Sequence, residues 1–258
     1  MLKQLGQCHF DREPVDDLET LLPRYKPTEF QSATRSTIPL LSLIKDGCPV
    51  LRDFLSRCDL PEKVTLHFEF QVPPRKGIGQ ASHTDLIVRF DGGALALEAK
   101  WTEPRYETVR EWLSRGKNPA NRRMVFEGWL EWLQSKAEAP LRTEDFADAV
   151  YQMVHRAASA CAQGGRPQLA YMCFAPLPGG QGTDGAYYRS RLADLHGLLG
   201  RPRGFRFHYF EVRAAPTEAF RAIERLPKGT GTTSEAVRGA LLGPPLFDFA
   251  IEGVHEID

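Results

Sequence analysis

The sequence predicts an α/β fold: a central mixed β-sheet flanked by helices, with a C-terminal elaboration. Three observations predict it. Apolar residues alternate with a period of two in several separated stretches, and follow a helical period between them. Extended and helical stretches are interleaved along the chain rather than segregated. One extended stretch, QLAYMCFAPL (168–177), is apolar at both parities, as a strand buried on both faces must be.

Residues 1–27 read as an irregular or partly helical lead-in, and 28–258 as a single domain with a core at about 28–177 and an elaboration at 178–258. TEFQSATRSTIPLLSLIKDG (28–47) reads as a helix capped by Thr28, stopped by Gly47 and bent or split by Pro39. PVLRDFLSRCDL follows as a short helix with Val50, Leu51, Phe54 and Leu55 on one side. VTLHFEFQV then alternates, with Val64, Leu66, Phe68 and Phe70 on one face and Thr65, His67, Glu69 and Gln71 on the other. PPRKGIGQ is a loop, and SHTDLIVRFDGGALALEAKW (82–101) a hairpin. Residues 102–135 are expected to be helical. TEDFADAVYQMVHRAASACAQGG reads as a helix capped by Thr143, with acids in its first turn and Gly164-Gly165 as its end. The strand 168–177, a glycine-rich loop, the helix AYYRSRLADLHGLLG, the strand FRFHYFEVRA and the helix TEAFRAIERL complete the pattern. PKGTGTTSE reads as a loop before a short C-terminal segment.

Composition narrows the function classes. Thirty-three basic residues balance thirty-three acidic ones, so no general polycationic surface is present, although a local basic groove is compatible with that balance. The five cysteines lack CxxC spacing and the seven histidines form no HxH or HExxH pair, which argues against a disulfide framework, a zinc ribbon, an iron–sulfur cluster and a histidine zinc site. The first residues, MLKQLGQCHFDREPVDD, lack the apolar core of a signal peptide, and no apolar run reaches membrane-spanning length. The expectation is a cytoplasmic protein with no membrane association.

The hairpin carries the chemistry. A two-residue turn at Gly92-Gly93 pairs Asp91 with Ala94, Arg89 with Ala96, Ile87 with Glu98 and Asp85 with Lys100. Leu86, Val88, Phe90, Leu95, Leu97, Ala99 and Trp101 then share an apolar face, while Asp85, Glu98 and Lys100 gather on the other. A one-residue slip would mix charges into the apolar face, so the apolar pattern itself selects the register that collects the charges. Ala94 and Ala96 are small enough to leave room for something to approach that face. Asp85 and Glu98 supply hard oxygen ligands for Mg²⁺, with Mn²⁺ as a substitute, and the Ala99 carbonyl could add a third. Such an ion acidifies a bound water and offsets phosphate charge, and Lys100 could hold or deprotonate the water and neutralise the phosphate.

Asp85, a hairpin, then Glu98-Ala99-Lys100 resembles the signature of the PD-(D/E)XK nuclease superfamily, the restriction-endonuclease-like fold. The resemblance implies an α-β-β-β-α-β core from about Thr28 to Leu177 and Mg²⁺-dependent hydrolysis of DNA, with Asp85 and Glu98 as ligands and Lys100 as the catalytic lysine. It also implies an endonuclease of the restriction or defence kind. It leaves room for a homodimer, since double-strand cutters often need two sites, and for a targeting partner protein. Thr84 stands where the family's proline would be, and Gln152 is followed four residues later by Arg156 rather than the tyrosine of some members, so only the glutamine carries over.

Other residues have two readings each. Gln152, His155, Arg156 and Ser159 form a polar helical stripe, either a solvent face or a wall of the site in which Gln152 orients a water or phosphate. Glu69 is an exposed strand residue or an extra acid near the metal, and Glu29 is a dipole-favoured first-turn acid or that same extra acid. His83 is a strand-end surface residue or a substrate contact. Arg75, Lys76, Arg122 and Arg123 are ordinary surface cations or backbone contacts to DNA. The tryptophans 101, 112, 129 and 132 are packing residues or stacking platforms for bases. A module of the same fold that binds nucleic acid or a protein without catalysis is the alternative function.

Overall fold

A computed structural model describes residues 6–45, 49–180 and 182–258. The elements in chain order are β1 (Gly6–Phe10), β2 (Glu13–Val15), α1 (Leu18–Leu21), α2 (Thr37–Lys45), α3 (Pro49–Arg57), β3 (Val64–Val72), β4 (Ser82–Phe90), β5 (Gly93–Lys100), α4 (Val109–Ser114), α5 (Pro119–Gln134), α6 (Tyr151–Cys161), β6 (Arg166–Ala175), α7 (Gly185–Leu198), β7 (Arg206–Pro216), α8 (Glu218–Glu224), α9 (Gly231–Leu242) and β8 (Phe247–Ile257). The eight strands form one mixed sheet in the order β2-β1-β3-β4-β5-β6-β7-β8. The run β3-β4-β5 is an antiparallel meander, and β5, β6 and β7 are parallel.

Helices cover both faces, which makes three layers. On one face Leu86, Val88, Leu95, Leu97, Ala99 and Trp101 pack with Ile38, Leu41, Phe54, Phe220 and Val237 of α2, α3, α8 and α9. On the other, Ile87, Ala94, Ala96 and Tyr171 pack with Val109, Phe126, Trp129, Met153, Ala157 and Leu192 of α4 to α7. β6 is buried along almost its whole length, as its apolar sequence at both parities requires.

The hairpin has the expected parity but a different register. The turn is Asp91-Gly92, with Gly92 at φ +81°, so Phe90 pairs with Gly93, Arg89 with Ala94 and Ile87 with Ala96. The slip is by two residues, which preserves every face. The space expected beside Ala94 and Ala96 is filled by α6, whose Ala157, Ala158 and Ala160 are fully buried in the same core. Small residues on strand and helix bring the two backbones together, so the approach to the charges is from the end of the sheet.

β3 departs from simple alternation at Glu69, a non-glycine residue at φ +50°. Val64, Leu66 and Phe68 enter one core, whereas Phe70 and Val72 enter the other. Phe70 therefore lies on the face assigned to the polar residues.

Several expected elements differ. The lead-in contributes β1 and β2 to the sheet. The stretch from Thr28 is a 3-10 turn (Pro27–Phe30) followed separately by α2, where Pro39 sits in the first turn and needs no hydrogen-bonded N–H. The expected stop at Gly47, with Cys48, lies outside the described residues. Residues 102–108 are irregular, and α4 and α5 are separate helices. Thr143 starts only a 3-10 turn (Thr143–Phe146), because Val150 bridges to Thr108 before α6 begins. The C-terminal segment is a whole helix, α9, and an eleven-residue strand, β8. None of the described helices is long and apolar enough to cross a membrane.

Candidate functional site

The end of the β4–β5 hairpin meets α6 at a cavity of about 460 Å³, and Asp85, Glu98, Lys100 and Gln152 all line it. β4 supplies Asp85, β5 supplies Glu98 and Lys100 two residues apart on one face, and α6 turns Gln152 and Arg156 toward them from successive turns. Glu69 completes the set, since it lies between the pairs Phe68–Leu86 and Phe70–Thr84 and so stands opposite Asp85.

Glu98 is 2% exposed and fully engaged. Its Oε1 accepts from Lys100 Nζ at 2.7 Å and from Gln152 Nε2 at 3.0 Å, and its Oε2 accepts from Arg156 Nε. Arg156 Nη1 also donates to Ser82 Oγ at 2.7 Å and lies 3.2 Å from His155 Nδ1. Lys100, also 2% exposed, projects over the Tyr106 ring at 4.4 Å. Burial favours neutral forms of all these groups, yet Arg156 and Lys100 together outweigh it and hold the Glu98 carboxyl below its usual range. For Lys100 the penalty of burial is likewise overcome, first by Glu98 and then by Tyr106, so its ammonium is held well above the ordinary lysine range.

Asp85 is in the opposite condition. Burial, and then the neighbouring Glu98 and Glu69 carboxylates, push it well above its usual range. Burial also raises Glu69 to about 7, helped by Glu29 and Glu98 and opposed by Arg156. The Asp85 Oδ2 accepts from the Ala99 N–H at 2.8 Å. The N–H and C=O of one extended residue point to the same neighbour, so the Ala99 carbonyl faces β4 as well. The cavity thus has a cation-rich half around Glu98 and an under-compensated acidic half around Asp85 and Glu69.

That charge imbalance is the test of a divalent ion. Two raised carboxyls and a backbone carbonyl are hard oxygen donors, and neither carboxyl pairs with a lysine or arginine among the described residues, which suits Mg²⁺ or Mn²⁺. Glu98 can join them if it releases one donor, and Arg156 has Ser82 and His155 as remaining partners. Among the described residues no group of three or more His, Cys, Asp or Glu side chains stands ready to hold a metal.

The remaining candidates separate clearly. Glu29 lines the cavity from the 3-10 turn and pairs with Arg35 at 2.7 Å. His83 also lines it, 3.9 Å from Glu69. The polar stripe of α6 is a wall of the core and not a solvent face, since Gln152, Arg156 and Ser159 are all buried. Arg75 packs over Trp132, Lys76 pairs with Glu131, and Arg123 pairs with Glu127 and Glu144. Trp101 and Trp129 are buried packing residues. Sequence reasoning missed Ser82, Tyr106 and Glu103. The Glu103 carboxylate accepts from Ser36 N at 2.9 Å and Trp101 N at 2.7 Å, which ties the 32–36 wall of the cavity to the end of β5. Their signal was position alone: Ser82 opens β4, and Glu103 and Tyr106 lie in the segment that follows β5.

The model of a family described as a domain of unknown function (DUF6946) matches residues 13–174. The chain belongs to the DUF6946 family. The matched DUF6946 region holds the whole hairpin and α6, hence every residue of the Glu98 network, and ends at β6. No curated protein and no solved structure matches the chain.

Proposed function

We propose that this DUF6946 protein is a Mg²⁺-dependent nuclease that hydrolyses phosphodiesters of DNA, with a restriction-endonuclease-like core. The observation that carries the reading is the convergence of Asp85, Glu98, Lys100 and Gln152 on one cavity at the open end of a hairpin. The element order α3-β3-β4-β5-α6-β6, with α4 and α5 inserted before α6, agrees with the core that the PD-(D/E)XK resemblance implies.

Asp85, Glu98 and the Ala99 carbonyl would hold the ion, with Glu69 on the open side of Asp85. When bound, the ion supplies positive charge that acidifies a water and offsets the phosphate. Lys100, kept as an ammonium by Glu98, donates hydrogen bonds to a phosphate oxygen or to the attacking water and does not remove a proton while so paired. Gln152 Oε1 is buried without a hydrogen-bond partner among the described residues, an acceptor placed to orient a water O–H. Arg35 and Lys228, on the cavity wall, attract the flanking phosphates. Cys8, Cys58, Cys161 and Cys173 form no disulfide among the described residues, which suits a reducing cytoplasm, and a restriction or defence role follows the resemblance.

One observation favours the non-catalytic alternative. The Arg156 guanidinium occupies the side of Glu98 that a metal would use. Incubation of supercoiled plasmid with the protein in Mg²⁺, Mn²⁺ or EDTA separates the two: nicking or linearisation only with metal supports the nuclease, and binding without turnover in any metal supports the module.

A further inference from the structure

A second cavity, of about 380 Å³, lies behind Ser82 and His155, which line it. Both contact Arg156, which lines the carboxylate site. Its wall is aromatic. Trp112 and Tyr151 stack at 4.0 Å with their planes 10° apart, and the Arg122 guanidinium lies 4.8 Å over the Trp112 ring. Its polar side chains include three donors, Tyr151, His155 and Arg122, alongside Gln80 and Asn121. The Tyr151 hydroxyl accepts from Trp129 Nε1 at 3.1 Å and has no acceptor for its own proton among the described residues. His155 Nδ1 lies 2.8 Å from Ser82 Oγ, which itself accepts from Arg156, and 3.2 Å from Arg156, which can only donate; Nδ1 as the acceptor of both leaves the ring proton on Nε2, which has no partner among the described residues. Burial, with Arg156 and Lys100 nearby, keeps that imidazole neutral.

The mouth of this cavity carries Ile78, which is 89% exposed. Such exposure of a large apolar side chain usually implies mobility, yet this backbone is pinned. The Asn121 side chain accepts from Ile78 N and donates to Ile78 O, each at 2.8 Å. Gly77, at φ +74°, approaches α5 so closely that a Cβ would lie 2.6 Å from Val125. The fold therefore holds an isoleucine rigidly outward beside an aromatic cavity with several hydrogen-bond donors.

We propose that this cavity receives an unstacked nucleobase, and that Ile78 is the wedge that fills the gap the base leaves. The inference rests on the nuclease reading, because the phosphodiester of the same nucleotide would lie in the carboxylate cavity. A base offers a π face to the Arg122 guanidinium, which lies over the Trp112 ring, and keto oxygens to Tyr151 and His155. A cationic ligand is disfavoured because Arg122 already occupies the wall, and a simple anion would leave the aromatic surface unused. Apolar side chains inserted between base steps are a general means of stabilising unstacked nucleic acid.

The test compares affinity for a short fluorescent oligothymidylate and for an abasic strand of the same length, which keeps the phosphates and lacks the bases, in Ca²⁺ to limit turnover. The intact strand should bind wild type about tenfold tighter or more, the value of one to two stacked bases. That preference should shrink to near equality in Arg122→Met, and fall in Ile78→Ser, whose side chain is solvent-exposed and leaves folding intact. Equal affinity of wild type for both strands overturns the base site while leaving the phosphate site standing. A preference that persists in both variants overturns the location. Failure to bind either strand overturns the nuclease reading and this inference together.

Discussion

Arg156 and Glu98 form an ion pair inside the protein, and the other end of the same guanidinium rests on Ser82. The arginine is 7% exposed and sits four residues after Gln152, which contacts the same carboxylate. Glu98 is therefore saturated without a metal: two cations and an amide satisfy both oxygens. A buried carboxylate with that many donors is stable as an anion, and with Arg156 in this position the cavity is closed at Glu98 and open at Asp85.

Replacing Arg156 by Met removes one cation from this buried group. The variant should lose about 3–5 kcal/mol of stability in EDTA, the usual cost of leaving a buried charge short of its partner. Mg²⁺ should return more stability to the variant than to wild type, because the ion can take the vacated side of Glu98. Urea denaturation with and without Mg²⁺ measures both. A loss below about 1 kcal/mol would mean that the ion pair is not maintained in solution.

Asp85 carries the opposite expectation. Its carboxyl is raised by burial and by Glu98 and Glu69, so the metal-free protein binds the Asp85 proton more tightly than an ordinary aspartate does. Asp85→Asn should be nearly neutral for stability in EDTA, within about 1 kcal/mol, and should abolish stabilisation by Mg²⁺. In wild type at a hundred times the dissociation constant, that stabilisation amounts to about 2.7 kcal/mol, or a melting shift of several degrees. Scanning calorimetry against Mg²⁺ concentration reads it directly.

Glu69 sets a pH dependence. Its folded pKa of about 7 exceeds the ordinary 4.5, so the folded state binds the proton more tightly than the unfolded chain. Its contribution is most favourable below about 4.5 and is lost as pH rises through about 7. Metal-free stability should therefore fall across that window by on the order of 2 kcal/mol, after allowance for partial exposure. Glu69→Gln should flatten the fall. Urea midpoints at several pH values in EDTA test it, and an unchanged slope in the variant would assign the effect to Asp85.

The faces of the hairpin were legible because period-two alternation is insensitive to a slip of two residues. Leu86, Val88, Leu95 and Leu97 had to share a core whichever glycine formed the turn. The register itself was not legible, since Asp91-Gly92 and Gly92-Gly93 are equally good turn sequences. The flip in β3 was hidden because nothing marks Glu69 as a residue at positive φ. β1 and β8 were hidden because GQCHF and FDFAIEGVHEI interrupt their apolar residues with glycine and charge. Gln152 and Arg156 were visible as a stripe, but their burial depends on Glu98, which lies far away in sequence. Alanines on both sides of that stripe, at 157, 158 and 160, were the local sign that α6 packs closely.

That close packing is itself testable. Ala96 is fully buried against α6, so Ala96→Leu must push the helix away or strain its rotamers. The expected cost is about 1–3 kcal/mol, read by urea denaturation, and Gln152 should lose its contact with Glu98 as α6 moves. A stable variant with unchanged midpoint would show that the alanine face is open after all.

The most direct test of the central claim is metal-dependent plasmid cleavage by purified wild type, Glu98→Ala and Lys100→Ala, each confirmed folded by circular dichroism. The account predicts that Mg²⁺ or Mn²⁺ supports nicking or linearisation by wild type, that EDTA stops it, and that both variants lose it. Equal cleavage by all three proteins would place the activity elsewhere, and no cleavage by wild type of supercoiled, linear or single-stranded DNA would contradict the assignment of Asp85, Glu98 and Lys100 as a nuclease centre.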